Sequence, residues 1–303
     1  MNVPDDSKRF RQMNSDTEFM MERRLRRDSP QLHQLFRSTV FSLQNLLTGY
    51  ARVFPEFTDH SELHSIEVAA FCNALIGFDQ IDMLNADEIY ILLMGCYLHD
   101  IGMGTREKEL DSLLAMFDSA DYLATHDRSN VGAVIRDLHH ELSGAFIRKH
   151  ADLWEIPSPE HLFSIVQVSR GHRKTDLYDE TEYPADYQLP NGNIVRLPYL
   201  AALIRLADEI DVASSRNLGL LFSPDQERNG SGGLHFAMHK ACRALLVEPD
   251  RFVMENHTDD PVLRAGLAER AEKMQETLDY CRDVTEKRTP FRITQKTVEQ
   301  EYI

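Results

Sequence analysis

Thirteen histidines are spread along the 303-residue chain, and several stand beside carboxylates in short segments able to hold a divalent metal. In chain order these segments are DHSELHSIEV, YLHDIGMG, LHHELSG, SRGHRK and RLADEID. The first carries His60 and His64, four residues apart and so on one face of a helix. The second puts His99 next to Asp100 at the end of an apolar run. The third contributes His139 and His140, the fourth His172, and the fifth Asp208 and, three residues on, Asp211. Imidazole and carboxylate without thiolate suit Mn, Fe, Mg or Zn left open to water and phosphate oxygens, rather than a closed structural zinc site. Such an ion lowers the pKa of bound water and neutralises charge on a phosphoryl group. A His-Asp dipeptide alone carries little weight; the ordered set of five segments carries the reading.

These side chains need a scaffold, and most of the sequence reads as helix. Apolar residues recur at helical spacing over Ser29–Phe54 before Pro55 stops the run. Thr58 or Asp59 can cap a second helix from His60 to Ile76, and Asn85 with Glu88 reads as a capping box opening a third from Ala86 to Leu98. Gly102 lets the chain turn away after His99-Asp100. Further helices are expected over Lys108–Leu123, Val131–Ala151, Pro159–Ser169 and Tyr199–Ser214. Between the last two, Asp176–Leu197 reads as a loop with a short hairpin about Asn191-Gly192, placed to shape a pocket mouth. Its Tyr178, Tyr183 and Tyr187 could stack on a base or pack as local cores. Asn229-Gly-Ser-Gly-Gly marks a joint. Beyond it, Leu245–Val247 and Phe252–Met254 suggest a small β element, Pro261–Arg288 a long polar helix, and Thr289–Ile303 a linker or tail. The expected architecture is all-α: a helical bundle over residues 1–220, with its core at 56–216, and a small C-terminal α/β appendage over 221–303.

Composition narrows the partners. A net charge of −16 repels duplex nucleic acid; the one basic run, Glu22–Asp28, reads as a solvated helix face. Bound cations would still reverse the potential locally and admit a polyanion. The apolar stretches are too short to span a bilayer, and the polar N-terminus lacks a signal-peptide core, so the expected setting is cytoplasmic, without a membrane partner. Cys72, Cys96, Cys242 and Cys281 form no CxxC pair, which argues against a disulfide framework.

From His60 to Arg216, about half the chain, the five segments in this order resemble the HD superfamily of metal-dependent phosphohydrolases. His64, followed by three residues and Val68, matches the first histidine of the family; His99 and Asp100 match the signature pair. His140, followed by three residues and Gly144, resembles the second-metal histidine of the two-metal branches. His172 resembles the next ligand, although some branches carry His-His where this chain has Gly171-His172. Asp208 in Leu-Ala-Asp matches the closing aspartate. The GYP signature of the cyclic-di-GMP-cleaving branch is missing after His172. The Thr58-x-His60-x-x-x-His64 opening and the LADEIDVASSR closing resemble bacterial HD proteins of conflict or defence systems, sometimes joined to Hsp90-like ATPases.

The resemblance implies an HD-domain bundle holding one or two divalent ions. His64, His99, Asp100 and Asp208 would hold the first, and Asp100, as a bridge, would hold the second with His140 and His172. His99 and Asp100 would be central to catalysis by a metal-activated hydroxide on a phosphoester or phosphoanhydride, the favoured substrate being a nucleotide or nucleotide second messenger. Arg128, Arg170, Arg173 and Lys174 are candidates for gripping phosphate, and they read equally as a solvated charge cluster. His60, His139 and Asp211 stand as residues supporting the ligands. A partner ATPase or defence protein is a further expectation, as is a second copy of the chain, since apolar helices in this superfamily often bury against one. Two other readings remain. One is a metal-retaining nucleotide sensor with little turnover that signals to a partner, and the other is a helical scaffold whose histidines do no chemistry.

Overall fold

The computed structural model describes residues 19–47, 62–212, 237–238 and 241–303. His60, the caps Thr58 and Asp59, the joint at Asn229–Gly233, and His235 and His239 lie outside the described residues. The described chain is a helical bundle with a small C-terminal β-sheet. In chain order the bundle helices are α1 (Met20–Asp28), α2 (Pro30–Leu47), α3 (Glu62–Ile81), α4 (Ala86–Leu98), α5 (Glu107–Leu114), α6 (Ala120–Thr125), α7 (Val131–Lys149), α8 (Pro159–Arg170) and α9 (Leu197–Ile210). A single turn of 3₁₀ helix, Ile101–Gly104, follows α4.

Helix α4 is the axis of the bundle. Every residue from Ile89 to Leu98 is buried, which a helix apolar on all sides requires. Its start is the expected capping box: the Asn85 side chain accepts from the Glu88 N–H at 3.0 Å, and the Glu88 carboxylate accepts from the Asn85 N–H at 3.1 Å. That first turn is also where α8 and α9 begin. The Asp87 carboxylate takes a hydrogen bond from His161 of α8 at 2.8 Å, and Glu88 pairs with Arg196, the residue before α9. The helices α4, α8 and α9 therefore run in parallel, and their C-terminal ends gather at the opposite end of the bundle. Those ends are the places of His99-Asp100, His172 and Asp208.

The hairpin expected around Asn191-Gly192 forms as β1 (Tyr187–Gln188) and β2 (Ile194–Val195), antiparallel, with Gly192 at φ 87° in the turn. It does not reach the gathered ends. Asn191 and Asn193 donate to Asp87 at 3.0 and 2.7 Å, and Asn85 donates to the Ile194 carbonyl. These contacts pin the hairpin to the start of α4, a helix length of about 20 Å from His99. The expected helix Lys108–Leu123 is instead two short ones, α5 and α6. Between them the Asp118 carboxylate accepts from the Ala120 N–H at 3.2 Å, a local bond that competes with helix continuation. The basic run before Ser29 lies on α1 and is not wholly solvated: Met21 and Leu25 are buried, and Arg24 donates to the Ile81 carbonyl and to Asp82.

The β element expected near Pro249 is a pair of antiparallel strands, β3 (Cys242–Val247) and β4 (Arg251–Asn256). Helix α10 (Pro261–Arg288) crosses back over α9. The closing stretch, expected as a linker or tail, is structured. Phe291, Ile293 and Gln295 are buried in alternation, Phe291 stacks on Tyr199 of α9 at 4.1 Å, and β5 (Thr297–Tyr302) pairs in parallel with β4. One hydrophobic cluster runs from Met21 and Phe36 through α4, α8 and α9 to Phe252, Met274 and Leu278. A smaller one lies under α5 and α7. All four cysteines are buried and unbridged. No helix among the described residues is long and apolar enough to cross a membrane.

Candidate metal centre

Two trios of ligand atoms meet at the gathered helix ends: His64, His99 and Asp208, and Asp100, His139 and His172, with the atoms of each trio within 4.8 Å of one another. Asp100 belongs to both neighbourhoods. Its Oδ2 lies 3.5 Å from Nε2 of His64 and 3.5 Å from Nε2 of His99. Its Oδ1 lies 3.4 Å from Nε2 of His139 and 3.5 Å from Nε2 of His172. Asp208 Oδ1 is 3.3 Å from His64 Nε2 and 3.9 Å from His99 Nε2.

The four rings are held by one recurring device. In His99, His139 and His172, Nδ1 bonds the carbonyl three residues earlier in the chain, Cys96 at 2.9 Å, Arg136 at 2.6 Å and Ser169 at 2.6 Å. His64, at the start of α3, bonds the Asp211 carboxylate through Nδ1 at 2.7 Å instead. A carbonyl only accepts, so each of those three Nδ1 atoms carries the proton, and its Nε2 presents a bare lone pair. Yet the Nε2 atoms lie in close pairs, His64 with His99 at 3.1 Å and His139 with His172 at 2.9 Å. Two lone pairs at that distance repel unless a cation sits between them. Metal–nitrogen bonds of about 2.1 Å place neighbouring ligands roughly 3.0 Å apart in an octahedron and 3.4 Å apart in a tetrahedron. The 3.1 Å spacing falls in that range and the 2.9 Å spacing lies 0.1 Å below its octahedral end, so the donor set fits two divalent ions. The C-terminal ends of α4, α8 and α9 add the negative ends of their dipoles.

Electrostatics keep the rings ready as ligands. Burial pushes His99 below the ordinary histidine value against the pull of Asp100 and Asp208. Burial, reinforced by His99 and His139, pushes His172 well below it. Burial alone would raise Asp208, but its contact with His64 and the charges of His64 and His99 hold it well below the usual carboxylate range.

Sequence reasoning and structure part over α7. The structure brings His139, not His140, against Asp100 and His172. The His140 ring centre stays 6.5 Å from that of His172, its Nε2 lies 3.9 Å from Glu141, and its buried Nδ1 has no partner among the described residues. Neighbouring positions on a helix point about 100° apart, so the choice rests on how α7 is rotated. That rotation is set where the 3₁₀ turn presses on α7. The Gly102 N–H donates to Ser143 Oγ at 2.9 Å, and a Cβ on Gly102 would stand 2.4 Å from the His139 carbonyl oxygen. Asp211, expected as a supporting residue, holds His64.

The candidate phosphate-gripping cations divide. Arg170 is engaged by Glu141 through paired bonds of 2.9 and 2.7 Å and by Glu182 at 3.2 Å, and Arg128 pairs with Asp111. Arg173 is half-buried and Lys174 exposed. The tyrosines of the loop Asp176–Leu197 are occupied as packing groups: Tyr183 is buried with its hydroxyl on Thr175, Tyr178 bonds Asp283, and Tyr187 lies against Phe163.

A protein-family model described as HD-CE matches residues 54–290, a span that takes in both trios and α10. No curated protein and no solved structure matches the chain.

Proposed function

The chain belongs to the HD-CE family and is a metal-dependent phosphohydrolase of the HD superfamily, and from that premise we propose that it cleaves a phosphoester or phosphoanhydride of a nucleotide or nucleotide second messenger. The observation that carries the proposal is the division of Asp100, with one carboxylate oxygen turned to each histidine pair. In this reading His64, His99, Asp208 and Asp100 hold one ion, and Asp100, His139 and His172 hold the other. Divalent ions so placed supply a lowered pKa for water and neutralisation of phosphoryl charge. The protein's own residues do the rest. The carbonyls of Cys96, Arg136 and Ser169 fix three imidazole tautomers, and Asp211 orients His64 and raises its basicity as a ligand. Asp208 is the most open member of its trio, so substrate enters from its side.

The test begins with the chain purified without chelator and analysed for metal, beside Asp100→Ala. One or two transition-metal ions per chain, lost in the variant, with phosphate released from nucleotides on adding Mn²⁺, are the expected results. Metal retained together with tight nucleotide binding and no release would replace hydrolysis by sensing. No metal after reconstitution would overturn both.

A further inference from the structure

Beside the second trio lies a group of donors that the metal centre does not use. The segment from Gly171 to Thr175 is clamped at both ends by one side chain: Arg205 donates to the Gly171 carbonyl at 2.7 Å and to the Thr175 carbonyl at 2.7 Å. Tyr183 adds a bond to Thr175 Oγ1 at 2.8 Å. The turn between these clamps presents Arg173 and Lys174 directly after His172. Among the described residues neither side chain forms a hydrogen bond or an ion pair. The His140 ring lies beside this turn, its centre 6.5 Å from that of His172 and 6.0 Å from that of His139.

His140 itself is only 5% exposed, and its Nδ1 has no partner among the described residues. A buried polar atom left without a bond is costly. Arg170 cannot supply a free charge, since Glu141 and Glu182 occupy its guanidinium. What remains is one unpartnered imidazole nitrogen and two unengaged cations on a fixed turn, flanking the second trio on a chain of net charge −16.

We propose that His140, Arg173 and Lys174 form a subsite for a second anionic group, the phosphate adjoining the one held at the metals, so that the substrate is a phosphoanhydride chain rather than an isolated phosphomonoester. This rests on the phosphohydrolase reading above. An isolated phosphate would be met by the ions alone and leave the two cations idle. A diphosphate or longer chain places its next phosphate where a guanidinium can grip it bidentately. His140 is here a positioning residue for that neighbouring group.

The probes are inorganic phosphate and pyrophosphate, titrated by calorimetry into the manganese-loaded full chain, with metal content checked after each titration. The wild type should bind pyrophosphate at least tenfold more tightly than phosphate. In the Arg173→Ala/Lys174→Ala double variant, with its metal retained, that ratio should fall toward one. Neither side chain holds the fold together, so the variant should fold. His140→Ala should also reduce the ratio, and His140→Asn, which keeps a donor near Nδ1, should restore part of it. Equal affinities for the two anions in the wild type, or an unchanged ratio in the double variant, would overturn the subsite and leave the phosphohydrolase reading standing. Failure of the manganese-loaded chain to bind either anion would overturn that reading and the subsite with it.

Discussion

Replacing Gly102 by alanine should remove the second ion while sparing the first. The added Cβ would stand 2.4 Å from the His139 carbonyl oxygen, 2.5 Å from the Ser143 nitrogen and 2.8 Å from Ser143 Oγ, where ordinary contact begins at 3.4 Å. Two of these atoms are backbone, so no side-chain rotation relieves the clash. The 3₁₀ turn and α7 must separate by about 1 Å, carrying His139 away from Asp100. Ligand distances in a metal site tolerate only about 0.2 Å, and a displacement of this size can cost roughly 100-fold in rate. Overpacking of this kind destabilises a fold by about 1–3 kcal/mol, and the Gly102–Ser143 hydrogen bond weakens as well. His64, His99 and Asp208 sit on α3, at the end of α4 and on α9, away from the clash, so the first ion should keep these three ligands even where Asp100, two residues before Gly102, shifts. Elemental analysis should therefore fall by one ion per chain. Hydrolysis should drop about 100-fold, and the urea midpoint should fall without loss of cooperativity. A variant that keeps full metal and wild-type turnover would refute the claim that this glycine sets the rotation of α7.

Asp211→Asn removes the charge behind His64 but keeps an oxygen able to accept from Nδ1; metal affinity should fall about 10- to 100-fold, measured by competition with a chelating dye, and unchanged affinity would reduce Asp211 to a packing group. At the far end of α4, Arg196→Ala would leave Glu88, fully buried, without its partner. Chemical denaturation should show a loss of about 3–5 kcal/mol with metal content intact, whereas loss of metal would contradict the separation of the two ends. Asp87 supplies a pH dependence. Burial alone would raise its carboxyl, but bonds from His161, Asn193 and Asn191 together hold it below its ordinary value. A depressed carboxyl stabilises the fold above its unfolded pKa near 4 and loses that contribution as pH falls through the lower folded value. The stability gap between wild type and Asp87→Asn should thus be full above about pH 5 and shrink below about pH 4; a gap independent of pH would mean that the charge of Asp87 does nothing for the fold.

Much of the bundle could be read before any coordinates because its signals are local. The capping box at Asn85 and Glu88 set the start of α4, Pro159 that of α8, and Asn191-Gly192 a turn. The closing strand was less legible. Thr289–Ile303 carries a period-two signal in Phe291, Ile293 and Gln295, yet β5 gains its hydrogen bonds from β4, some forty residues earlier, and a strand that depends on a distant neighbour announces itself weakly. The break between α5 and α6 was missed for the opposite reason: a single carboxylate, Asp118, outweighs the helical periodicity around it.

What the sequence by itself determined is the order of the segments that carry candidate ligands: a histidine early in a helix, a His-Asp pair after an apolar one, further histidines, and a closing aspartate, all of types that bind divalent metal. Whether His139 or His140 turns inward, and which cations stay free, was decided only by the tertiary structure. Adjacent residues on a helix differ in direction by about 100°, and nothing local says which direction is inward. The close approach of Gly102 to α7 and the capture of Arg170 by Glu141 and Glu182 settle both points. Each is a contact between segments that the linear chain keeps apart.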